Sequence, residues 1–177
     1  MTFDEAVFGK EIPDEILNEL ELISVPFWSF EEKICRGELV VNKKIAAEIA
    51  EIFQKICDSP VSGRFPIEKI IPISKYDWDD ASSMEDNNTS CFNYRLIYKT
   101  NRLSNHAKGL AVDINPALNP YIAMDESVWP KGASYNTNHP GTILADGLVV
   151  KIFESYGWSW GGKWQDRKDW QHFEKVL

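Results

Sequence analysis

The chain has three histidines and three cysteines in 177 residues, so chemistry that needs imidazole or thiolate ligands must draw on very few positions. Cys35, Cys57 and Cys91 lie far apart, with no C-x-x-C pair. That excludes a cysteine metal cluster and a dithiol redox motif, allows one intramolecular disulfide at most, and leaves them as small buried hydrophobes. No apolar run approaches the ~20 residues that cross a bilayer, so no membrane span is expected. Positive charge is also scarce: 19 Lys and Arg against 27 Asp and Glu give a net charge of -8. Because non-specific nucleic-acid affinity comes from basic side chains displacing counterions, nucleic acid is not an expected partner. No internal repeat, charge tract or low-complexity linker marks a boundary.

What is present suits a packed core, with 44% hydrophobic and 12% aromatic residues in a length typical of one domain. The expectation is a single domain over 1–177, with an N-terminal helical part at about 1–60 and a core at about 65–177. A short helix is expected from Pro13 to Leu22, and a longer one from Asn42, as N-cap, to Cys57, where Ala46, Ile49, Ala50, Phe53 and Ile56 form a stripe. Strands are expected over Ile67–Tyr76, Tyr94–Tyr98 and Leu110–Ile114, with a polar loop from Asp77 to Asn88. Asn115 to Gly141 reads as a long irregular insertion, and Thr142 to Tyr156 as a helix ended by Gly157. Helices followed by interrupted strands favour α+β with a small antiparallel sheet and flanking helices.

Two of the three histidines fall in segments dense with glycine, aromatics and acidic residues. These are Ser104-Asn105-His106-Ala107-Lys108-Gly109-Leu110-Ala111-Val112-Asp113 and Asp169-Trp170-Gln171-His172. Two histidines and a carboxylate can hold a zinc ion and leave one position for water, while a further carboxylate, Asp169, can take a proton from that water. One zinc per chain is expected. His106 and Asp113 stand an odd number of residues apart, which places them on opposite faces of a straight strand. The chain must bend between them, and Gly109 is the residue that permits it. Beyond the bend Ala111 and Asp113 share one face, and Leu110, Val112 and Ile114 the other. The odd Asp169–His172 spacing likewise demands a turn or helical segment before a short strand carrying His172. His139, in Asn138-His139-Pro140-Gly141, reads as a loop residue.

The Ser104–Asp113 segment completes the pattern S-x-H-x-x-G-x-A-x-D and, with Asp169–His172, resembles the zinc-dependent D-alanyl-D-alanine carboxypeptidase family. That family includes VanY-like carboxypeptidases, D-Ala-D-Ala dipeptidases and phage L-alanyl-D-glutamate endopeptidases. Phe92-Asn93-Tyr94-Arg95, Asp113-Ile114-Asn115-Pro116 and Gly157-Trp158-Ser159-Trp160-Gly161-Gly162-Lys163-Trp164 resemble the VanY-like subgroup, and the likeness runs from about Phe65 to Glu174. The resemblance implies a hedgehog/DD-peptidase-like fold, zinc bound by His106, Asp113 and His172, and Asp169 as the catalytic carboxylate. Many relatives have glutamate where this chain has Asp169, and the L-alanyl-D-glutamate endopeptidases have aspartate.

Arg95 resembles the family's substrate-site arginine, able to stabilise an oxyanion or hold a substrate carboxylate; a surface salt bridge is its structural alternative. Ser104 can bond substrate or simply orient the His106 turn. Among the tryptophans, Trp158, Trp160 and Trp164 are expected to pack the C-terminal unit, and Trp170 to stand at the site rim. The implied function is a monomeric zinc peptidase acting on peptidoglycan stem peptides, as a carboxypeptidase, endopeptidase or dipeptidase. The alternative is a zinc-containing module that binds cell-wall peptide or a protein without cleaving it. Met1–Glu5 is acidic and lacks the basic-then-apolar order of a secretory signal. Action in the cell wall or periplasm would require that a signal had been removed.

Overall fold

A computed structural model describes residues 1–60 and 63–177. Two short helices, α1 (Phe3–Ala6) and α2 (Asp14–Leu17), precede a long hairpin of β1 (Leu20–Trp28) and β2 (Ile34–Asn42), paired from Leu20↔Asn42 to Trp28↔Ile34. This hairpin corrects the expected helical part at about 1–60 and the helix expected to reach Leu22. Its turn contains no glycine; Glu32 adopts the left-handed conformation instead, at φ 58°, so the usual turn signal is missing. Asn42 ends β2 rather than capping a helix, its side chain bonding the Lys44 amide and the Lys108 carbonyl.

Helix α3 (Ala46–Cys57) lays Ala46, Ile49, Ile52, Phe53 and Ile56 against the hairpin. Spacings of three and four residues put these side chains on one face, as the sequence pattern required. β3 (Lys69–Ile70) pairs in parallel with β4 (Asn88–Thr89). The rest of the strand expected to Tyr76 is a 3-10 turn over Ile73–Tyr76, following Pro72. Between them, α4 (Asp80–Glu85) occupies the expected polar loop, with Asp79 as N-cap accepting from the Ser82 amide at 2.7 Å. Tyr94–Tyr98 forms no strand; a single bridge joins Leu96 to Leu103.

The site is carried by a three-stranded antiparallel sheet in the order β5 (Ala111–Asp113), β10 (His172–Glu174), β8 (Ser159–Trp160). Val112, Ile114 and Phe173 are fully buried in the main core, which also takes residues from the hairpin, α3 and α5 (Leu148–Ser155). Strand alternation therefore aims Asp113, His172 and Glu174 at the opposite face. α5 starts later than expected, after Gly147 rather than at Thr142, and ends as expected before Gly157 in the left-handed conformation. The 115–141 segment is mostly irregular but contributes β6 (Tyr121–Ile122) and β7 (Val128–Trp129); β6 also pairs with β9 (Lys168–Asp169). Buried Asn115 and Asn119 pin its ends, both donating to the Gly141 carbonyl. The architecture is α+β, and no helix among the described residues is long and apolar enough to cross a membrane.

Candidate metal centre

His172 and Asp113 are directly opposed residues of β10 and β5, so their side chains leave the same face of the sheet side by side. Asp113 is held on its other edge by a reciprocal backbone pair with Ser90, at 3.1 and 2.9 Å. His106 arrives from a different element. It opens a 3-10 turn over His106–Lys108 that ends at Gly109, whose φ of 65° supplies the bend the spacing required. A Cβ at Gly109 would stand 2.6 Å from the Asn42 amide nitrogen, so β2 leaves room for glycine alone.

The result is a compact donor set. His106 Nε2 lies 3.1 Å from Asp113 Oδ2, His172 Nδ1 lies 3.0 Å from Asp113 Oδ1, and the two ring nitrogens are 3.2 Å apart. Outside the cluster, His106 Nδ1 meets the Cys91 carbonyl at 2.6 Å and His172 Nε2 meets Glu174 Oε2 at 3.3 Å. An imidazole that donates outward to an acceptor keeps its inner nitrogen as a bare lone pair. Two such lone pairs and a carboxylate, all buried and facing one another, repel unless a cation or proton lies between them. His106, Asp113 and His172 are thus able to hold a metal ion.

The electrostatics of the metal-free protein follow. Burial raises the cost of charging Asp113, but the charge and hydrogen bond of His106, together with His172, hold its carboxyl well below the usual range. Burial likewise opposes a charged His172, yet its bonds to Asp113 and Glu174 push it up to about 10. The hydrogen bond to His172 draws Glu174 down to about 2 against its partial burial, helped by Asn105. Asp169 moves the other way: burial pushes it up to about 7, against the pull of His172, with the Asp113 charge adding to the rise. Its Oδ1 is shut off from solvent and has no hydrogen-bond partner among the described residues. Asp169 sits on β9, opposite Tyr121, and the chain turns through Trp170 and Gln171 before His172.

The other residues singled out by sequence are placed as follows. Arg95 acts on Asp169 through its charge, while its NH2 group contacts Asp80 Oδ2 at 3.2 Å and its buried Nε has no partner. The Ser104 hydroxyl accepts from the His106 amide at 3.2 Å, the turn-orienting arrangement. Trp170 stacks on Tyr135 of the insertion, ring centroids 4.0 Å apart and 9° from parallel, and its indole nitrogen is buried without a partner. Trp164 is the tryptophan packed on His172, at 5.5 Å. His139 is an exposed loop residue beside Phe30, and the three cysteines are free.

Sequence reasoning missed Glu174, Asn105, Asp80 and Tyr135. Glu174 carried a usable signal, since it lies two residues beyond His172 and so shares its strand face. Asp80 was hidden by reading the Asp79-capped helix as a loop. Asn105 and Tyr135 carried none, because only tertiary folding brings them to their partners.

Residues 98–175 match a family model described as D-alanyl-D-alanine carboxypeptidase. The chain is similar to that family over the segment carrying all three candidate ligands and Asp169. No curated protein and no solved structure matches it.

Proposed function

We propose that the protein is a zinc metallopeptidase that hydrolyses peptidoglycan stem peptides, as a D-alanyl-D-alanine carboxypeptidase or an L-alanyl-D-glutamate endopeptidase. The observation that carries this reading is the convergence of His106 Nε2, Asp113 and His172 Nδ1, with the unpartnered Asp169 Oδ1, inside the family-matched segment. The donor separations of 3.0 to 3.2 Å are a few tenths of an ångström shorter than the roughly 3.3–3.6 Å between ligand atoms ~2.0–2.2 Å from a tetrahedral ion, so a small outward shift of the side chains admits zinc. Two neutral imidazoles and a carboxylate also match its ligand preference. The β5–β10–β8 sheet that holds them supports a hedgehog/DD-peptidase-like core, and the small N-terminal elements and hairpin fit within one domain with it.

His106, Asp113 and His172 would hold the zinc, which would supply Lewis acidity for the scissile carbonyl and for water near neutral pH. Asp169 accepts a proton from the attacking water as the new C–O bond forms. It returns that proton to the leaving amine nitrogen as the C–N bond breaks. Burial raises this carboxyl to about 7 without metal and a nearby cation lowers it from there, which keeps it closer to the working pH of a proton carrier than an exposed aspartate. Arg95 contributes positive charge on the Asp169 side of the site, suited to a developing oxyanion or a substrate carboxylate. Ser104 and the Trp170–Tyr135 pair shape the surroundings, the first through the His106 turn and the second as a wall beside Asp169.

The test is digestion of a panel of muropeptides by zinc-loaded protein, read by chromatography and mass spectrometry. Loss of a terminal D-Ala, or scission after L-Ala, is the expected product and identifies the bond. Intact peptides bound tightly by zinc-loaded protein would instead favour a binding module.

A further inference from the structure

A histidine can present only one ring nitrogen to a metal, and something must decide which. At His172 the outward nitrogen, Nε2, faces Glu174 Oε2 at 3.3 Å. That same oxygen accepts a hydrogen bond from Asn105 Nδ2 at 2.7 Å. Asn105 immediately precedes His106, and its backbone carbonyl accepts from the amides of Lys108 and Leu110 at 3.1 and 3.0 Å, so its side chain departs from a fixed turn. A single carboxylate oxygen therefore joins the strand carrying His172 to the turn carrying His106. The two residues it joins are far apart in sequence, and the contact adds a side-chain link to the backbone pairing of Glu174 with Ala111.

We propose that Glu174 and Asn105 are positioning residues for the metal: Glu174 accepts the Nε2–H of His172 so that Nδ1 stays bare, and Asn105 fixes that carboxylate in place. The proposal rests on the metal-binding part of the function proposed above. His106 is oriented by the Cys91 backbone carbonyl, which no side-chain change removes. His172 depends on a side chain, and that makes the device testable. Both hydrogen bonds end on one oxygen, so the amide oxygen of glutamine can still accept both, though more weakly than a carboxylate.

The experiment is zinc affinity, measured by competition with a chromophoric chelator, for the parent protein and for Glu174→Ala, Glu174→Gln and Asn105→Ala. Loss of an outer partner of a metal histidine typically costs about 10–100-fold in affinity. That loss is expected for Glu174→Ala, with a smaller one for Asn105→Ala and an affinity near the parent's for Glu174→Gln. Thermal unfolding of each metal-free variant separates this from general loosening: the midpoint falls only by the share of the lost Glu174 bonds, and a positioning role lowers zinc affinity in the variants whose metal-free fold remains intact at the assay temperature. Parental affinity in Glu174→Ala overturns the proposal, as does an equal loss in Glu174→Gln. Should Glu174→Ala fail to fold, parental affinity in Asn105→Ala overturns Asn105's share and a loss of about 10-fold or more in Glu174→Gln overturns Glu174's. Parent protein that binds no zinc defeats the function proposed above as well, whereas a tightly binding parent with unaffected variants defeats this inference alone.

Discussion

Gly161 lies so close beneath Asp169 that a Cβ added to it would stand 2.7 Å from the Asp169 carbonyl oxygen and 2.8 Å from the Asp169 Cβ. The absence of a side chain on the 3-10 turn after β8 thus sets how near β9 can approach, and with it the height of the Asp169 carboxyl. Gly161→Ala should push Asp169 outward while β10, paired on both sides, keeps His172 in place. Since a misplacement of about 1 Å can cost 10²-fold in rate, kcat is expected to fall by about that factor with zinc affinity retained. Steady-state kinetics beside a zinc titration checks both halves.

Asp169→Asn keeps the shape of the side chain but removes its capacity to take a proton. Zinc stoichiometry should remain one per chain, and turnover of a muropeptide should drop by about 10²–10⁴-fold, the usual contribution of a general base. Full activity in this variant would show that another group moves the proton.

Acid and base act on the site with opposite signs. His172 is raised from 6.5 to about 10 in the metal-free protein, so its bonds stabilise that fold fully below 6.5 and are lost as pH rises through about 10. Glu174, lowered from 4.5 to about 2, contributes above 4.5 and ceases to as pH falls through about 2. Zinc must displace the His172 proton, so its affinity should rise by about tenfold or more per pH unit between pH 7 and 8. Asp169, at about 7 without metal, is lowered by a nearby cation. The acidic limb of kcat/KM should therefore lie below about pH 7, and an acidic limb above that value would count against Asp169 as the base.

Gly109→Ala tests the bend. A left-handed conformation costs a residue with a Cβ about 1–2 kcal/mol, and here the added methyl also meets the Asn42 amide and the Leu20 side chain at 2.6 and 2.7 Å. The midpoint of thermal unfolding should fall, and zinc affinity should fall with it, because the strained turn carries His106. A variant as stable and as tightly zinc-binding as the parent would mean that the turn does not depend on glycine.

The legible parts of the fold are those whose signal is local. The α3 stripe follows from side-chain spacing, the end of α5 from Gly157, and the break after Ile114 from Asn115-Pro116. The β1–β2 hairpin was invisible for a local reason too: Glu32 takes a left-handed turn position that sequence reading reserves for glycine or asparagine. Residues 94–98 have strand-forming side chains, yet among the described residues find only one bridging partner, and strand structure requires a neighbour as much as a propensity.

The sequence by itself narrowed a histidine-based metal site to very few positions, because the chain has three histidines, and the motifs around His106, Asp113 and His172 nominated those three through their family resemblance. It also determined that the chain must bend at Gly109, because strand parity forbids convergence otherwise. Tertiary structure alone decided which ring nitrogen each histidine turns inward, through acceptors supplied by Cys91 and Glu174. It alone left the Asp169 Oδ1 buried and unpartnered and brought Tyr135 onto Trp170. Ligand identity is a matter of residue type and spacing along one chain, whereas orientation, burial and charge depend on groups that meet only when distant segments pack.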